Sequence, residues 1–121
     1  MLVATIVIIV VALAAPLVMH ACAAGRIPVN HLVGIRIASV MESAQAWRAG
    51  HKAAIPVTWI GAIVAVVIAG ISLTPVVPPA AESGVLIAAA IVFLVAIVLA
   101  GVVANRAALV EIDAEQHQAQ H

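Results

Sequence analysis

Three stretches of this chain, residues 2–24, 55–74 and 84–104, contain no Asp, Glu, Lys or Arg. A helix rises about 1.5 Å per residue, so about 20 apolar residues cover the ~30 Å of hydrocarbon in a bilayer. Each stretch reaches that length. Inside lipid every backbone N–H and C=O must find a partner within its own segment, which leaves the helix as the form for isolated runs of this kind. Composition agrees, because 66% of the 121 residues are hydrophobic and 8% are charged, too few charges to coat a water-soluble globule. The sequence therefore predicts an all-α membrane protein of one domain with three transmembrane helices (2–24, 55–74, 84–104) and a tail at 105–121.

Ala21-Cys22-Ala23 resembles a cleavage site. No basic segment precedes the apolar run, however, and the run exceeds the ~7–15 residues of a signal-peptide core. We read residues 1–24 as retained. Arg26, Arg36, Arg48 and Lys52 all lie between the first two runs, Arg106 opens the tail, and the loop between the last two holds Glu82 and no base. Basic residues in short loops stay on the cytoplasmic side, which predicts an outside N-terminus, an inside first loop, an outside second loop and a cytoplasmic C-terminus. Pro75, Pro78 and Pro79 make the second loop a stiff, helix-free connector. In the tail, the first part can prolong the third helix, the end is expected to be loose, and His117 and His121 are not read as ligands.

Helices in lipid associate through small residues and buried polar contacts. Gly61, Ala65 and Ala69 in the second run, and Ala96, Ala100 and Ala104 in the third, recur at four-residue steps and predict two facing seams. The same seams leave homo-oligomers open. Pro16 predicts a bend in the first helix, and His20 is the one ionisable side chain within a span, placed to reach the interface. Cys22 reads as a small apolar helix residue, with no second cysteine to pair or to share a metal.

Polar chemistry concentrates between the first two runs. Val40, Ala44, Trp47, His51 and Ala54 fall on one helical face, with Met41, Glu42, Gln45, Arg48 and Lys52 around the rest, and Ser39 with Glu42 fits a capping box. This predicts a short amphipathic helix at 39–50, lying flat in the interface with Trp47 at headgroup level. Before it, Asn30, His31, Gly34 and Arg36 follow Pro28 in a polar turn. Gly34 suggests a backbone that a side chain would block, and Arg36 brings five donors suited to a carboxylate or phosphate. Asn30, Arg36 and His51 are placed to converge on an anionic group, while an Arg36–Glu42 ion pair is the purely structural alternative.

Asn30, then Gly34-Ile35-Arg36, then Trp47 and His51, in that order between two spans, resemble the marker of the SdpI family of small bacterial membrane proteins. The resemblance extends over nearly the whole chain, since the family module also has three crossings with this loop between the first two. Ile37-Ala38-Ser39-Val40 departs from the Thr-Pro-x-Thr-like stretch of many relatives. The resemblance implies a place in the bacterial cell membrane, immunity to a secreted toxic peptide and, as in the best-known member, membrane capture of a transcriptional repressor.

The reading this favours is a binding module. Its site is Asn30, Gly34, Arg36, Trp47 and His51, and its partners are membrane lipid and a toxin peptide or cytoplasmic regulator. No cofactor, no metal and no direct contact with nucleic acid are expected. The alternative is an interfacial enzyme acting on a lipid or peptide, with His51 or His31 as base and Arg36 as anion clamp. That reading lacks an obvious nucleophile, paired carboxylates in the loop or a metal-ligand motif. A transporter would need polar residues along the spans, which are almost free of them.

Overall fold

The computed structural model describes residues 1–120, so the tail histidine His121 lies outside the described residues. Its three helices are α1 (Leu2–Ala23), α2 (Ala44–Ile71) and α3 (Glu82–Ala119), each containing a segment long and apolar enough to cross a membrane. α1 passes through Pro16, which is buried, without interruption. It closes with Gly25 N–H bonded to the Cys22 carbonyl (3.2 Å) and Arg26 N–H to the Ala21 carbonyl (3.0 Å). That pair of bonds needs a left-handed residue at the exit, and Gly25 supplies it at φ +78°.

α2 packs on both neighbours, whereas α1 and α3 barely touch. The small-residue seams lie where the four-residue steps put them. Gly61, Ala65 and Ala69 are buried on α2, as are Ala96, Ala100 and Ala104 on α3. Their contact is backbone-close: a Cβ built on Gly61 would stand 2.1 Å from the Cβ of Ala96. The alanine ladder continues beyond the span to Ala108, which is fully buried. At the far end of α1 the hydroxyls of Thr5 and Ser72 lie 3.3 Å apart, a buried polar contact between α1 and the end of α2.

Three expectations need correction. The separate helix at 39–50 is absent: residues 38–41 form turns, Ser43 is the N-cap with its hydroxyl accepting from Ala46 N–H at 3.0 Å, and α2 then runs unbroken into the span through Pro56. Nothing between Gly50 and Ile55 stops a helix, and a proline inside a packed membrane helix forfeits little more than one backbone bond. Nor does the apolar face of this segment lie on lipid, since Val40, Trp47, His51 and Ala54 are all buried against protein, with only Ala44 of that stripe exposed. The second loop is not free of helix either: Pro79–Ala81 makes one 3₁₀ turn leading into α3, because proline's fixed φ suits the first position of a helical turn.

α3 extends through Ala119, well past the apolar run that ends at Ala104. The upstream turns of α2 and the downstream turns of α3 therefore stand together beyond the span. Polar bonds join this region: Ser39 Oγ donates to Asn105 Oδ1 (2.5 Å) and Ser43 Oγ to Glu115 Oε1 (2.7 Å). Nearer the span, His20, exposed near the end of α1, accepts a 2.9 Å bond from Trp59 Nε1 of α2.

Candidate functional site

The loop from Arg26 to Glu42 has no regular secondary structure, so its shape depends on side chains. Asn30 folds the first half. Its Oδ1 accepts from Leu32 N–H (2.9 Å) and Val33 N–H (2.8 Å), and its Nδ2 donates to the carbonyls of Pro28 (2.7 Å) and Val33 (3.2 Å). A short amide bonding the backbone two and three residues on is the usual way asparagine builds a turn. Both amide hydrogens and both acceptor positions of the side chain are spent on the loop itself.

Trp47 and His51 sit one helical turn apart on the first turns of α2, with ring centroids 4.3 Å apart. Trp47 Nε1 donates to the Ile27 carbonyl at 2.8 Å, pinning the start of the loop to α2. His51 Nε2 lies 2.9 Å from Ile35 N–H, and its Nδ1 lies 2.7 Å from the Trp47 carbonyl. A backbone N–H can only donate, so Nε2 is the acceptor and Nδ1 carries the proton. Histidine is thus held neutral, in one tautomer, with both nitrogens occupied.

Gly34 makes this approach possible. It stands at φ +103°, and a Cβ there would lie 2.8 Å from both His51 Nε2 and Trp47 Cη2. Only a residue without a side chain lets the loop backbone lie on the Trp47–His51 pair and hand Ile35 N–H to the imidazole.

His51 has no exposed surface, and burial lowers its pKa below the ordinary 6.5, opposed by the weaker pull of its bond to the Trp47 carbonyl. It stands upstream of the apolar span that begins near Ile55. Since the unfolded chain binds a proton more readily than the folded one, this residue adds full stability above pH 6.5 and loses it progressively as pH falls below that value. We expect the melting temperature of the purified protein to fall between pH 7.5 and 5.5, and His51→Gln to flatten that dependence. Equal slopes in parent and variant would remove His51 from the account.

Arg36 is different. It is exposed, and one of its five donors is used: Nη1 bonds the His31 carbonyl at 2.8 Å. Among the described residues the one ion pair joins His117 and Asp113, so the Arg36–Glu42 pair does not form. The five marker residues are therefore gathered where the loop rests on α2, without converging on one point. Asn30, Gly34, Trp47 and His51 build it, and Arg36 is presented on its outside.

The interfacial-enzyme reading loses one of its two bases here, because a sealed His51 offers no free nitrogen, and Ser39 and Ser43 are both engaged with α3. His31 is exposed. No group of three or more His, Cys, Asp or Glu placed to hold a metal occurs among the described residues. Sequence reasoning missed the anchors Asn105 and Glu115. Asn105 was open to recognition as the first polar residue after the third apolar run, but its serine partner comes from a distant segment. It also missed a groove of about 620 Å³ where Ile35 and Ile37 of the loop face Met19 of α1 and the end of the α3 span.

No curated protein and no solved structure matches this chain. A family model does, over residues 26–104, which takes in the loop, α2 and the span of α3 and leaves α1 and the tail outside. The match is narrower than the near-complete resemblance expected from the sequence, yet it covers well over half of the chain and every marker residue, and the chain belongs to the SdpI/YfhL protein family.

Proposed function

We propose that this multi-pass membrane protein is an immunity-type protein whose first loop, on the cytoplasmic side, recognises a membrane-active peptide through Arg36. The observation that carries this reading is the division of labour in the loop. Asn30, Gly34, Trp47 and His51 spend their polar atoms and their space on fixing the backbone, while Arg36 keeps four of its five donors for a partner. A guanidinium on a fixed mount binds a carboxylate with less ordering cost than one on a floppy loop. Family membership supports the immunity role, and the orientation rests on the bases gathered in this loop and at Arg106.

The test uses the full chain in a bacterial host challenged with membrane-active peptides. Arg36→Ala is expected to accumulate within about twofold of the parent, as exposed substitutions do. It is expected to lose protection by about tenfold or more, the weight of one charge-assisted contact. Arg36→Lys, which keeps the charge but not the planar fork, should fall between the two. Full protection by Arg36→Ala at normal accumulation would overturn the assignment.

A further inference from the structure

The groove beside the loop has a chemistry of its own. It opens where α1 and α3 diverge, and its walls are the apolar side chains of Met19, Ile37, Ile97, Val98 and Val102. Its floor at Gly101 stays clear, since a Cβ there would meet nothing nearer than Ile37 Cδ1 at 3.4 Å. At the end away from the membrane centre stands Arg106, exposed and, among the described residues, without a carboxylate partner.

Along α3 the groove runs from Ile97 to Arg106. At ~1.5 Å per residue that is about 13 Å, close to the ~15 Å of hydrocarbon in one leaflet. The apolar walls thus lie at acyl-chain depth and the guanidinium at headgroup depth. A transmembrane helix seats itself on small residues that let backbones approach. Most of this wall is branched or long, which suits a single flexible methylene chain better than a helix.

We infer that this groove holds one anionic phospholipid of the loop-side leaflet, its acyl chain along α3 and its phosphate against Arg106. The site is separate from the Arg36 contact and does not depend on it. Lipid here would fill the gap that α1 and α3 leave and would brace Ile35 and Ile37, the two residues flanking Arg36.

The test is native mass spectrometry of the full-length protein released from detergent after titration with dioleoyl phosphatidylglycerol or, in parallel, dioleoyl phosphatidylcholine. The parent should retain one phosphatidylglycerol with about fivefold preference, the discrimination one base gives near an anionic surface. Arg106→Gln should bring phosphatidylglycerol down to the phosphatidylcholine level, and Gly101→Leu, which fills the floor, should reduce both. Equal retention of the two lipids by the parent, or phosphatidylglycerol retention unchanged in Arg106→Gln, would overturn the inference. So would a dimer that Gly101→Leu disrupts with no lipid preference, because a second copy would then occupy the groove. Arg106 is exposed, so its variant reads the site even if Gly101→Leu fails to fold.

Discussion

Gly61→Leu is expected to abolish membrane accumulation, and even Gly61→Ala to reduce it. The Cβ position at Gly61 already lies 2.1 Å from the Ala96 Cβ, far inside van der Waals contact, so any side chain must push α2 and α3 apart. Separation would loosen the whole ladder of Ala65, Ala69, Ala100 and Ala104, whose contacts depend on the same close spacing. Overpacking costs about 1–3 kcal/mol in a core that can adjust. The upper end applies to a helix seam with backbone on both sides, and every ~1.4 kcal/mol is tenfold in the folded ratio. The diagnostic is rescue: moving the methyl across the seam, with Gly61→Ala combined with Ala96→Gly, should restore much of what Gly61→Ala loses. Normal accumulation of Gly61→Leu in immunoblots of membrane fractions would mean that the two helices do not meet here.

The second large effect is at Gly34. Gly34→Ala places a methyl 2.8 Å from His51 Nε2 at a φ of +103°, which L side chains rarely adopt. The backbone term alone is about 1–3 kcal/mol. Pushing the imidazole away from Ile35 N–H adds about 1–3 kcal/mol for a part-buried donor left without its acceptor. We expect a loss of about 3 kcal/mol or more, seen as a lower thermal midpoint in detergent. Arg36→Ala, two residues away, should leave that midpoint nearly unchanged. A Gly34→Ala protein that melts like its parent would show that the loop does not rest on the Trp47–His51 pair.

These two glycines also show what the sequence could and could not reveal. Gly61 stood in a visible four-residue ladder, because helix packing repeats with the turn and leaves its period in the residues. The three spans were legible for a related reason: hydropathy over about 20 residues averages out local detail. The start of α2 was not. Ser39 and Glu42 mimic a capping box, while the true cap is Ser43: both serine hydroxyls donate to α3, but only that of Ser43 also accepts a helix N–H, from Ala46. The extension of α3 to Ala119 was half legible, since Ala, Glu and Gln favour helix but the tertiary bond from Ser43 to Glu115 has no local trace.

In the loop, the need for a bare backbone at Gly34 was legible, but the partners of His51 were not. His51 on an apolar face looks equally like a ligand or a core residue until its partners are known, and both of those are main-chain groups, Ile35 N–H and the Trp47 carbonyl. Backbone partners leave no signature in residue identity. Arg36 emerged as the exposed member because the structure accounts for the other four.

The bonds that tie the loop to α3 carry a consequence for the order of synthesis. Ser39 and Ser43 meet partners 66 and 72 residues later in the chain. At roughly 5–20 residues per second a ribosome needs on the order of ten seconds to cover that distance. During that interval the first loop has already left the exit tunnel with its serines unanchored and Val40 uncovered by the α3 backbone that will later abut Gly50. The loop is thus made early, yet it is completed only when α3 supplies Asn105 and Glu115. Its final form reports that the third helix has arrived, so a nascent chain stalled before Asn105 should present a different loop to the cell than the finished protein does.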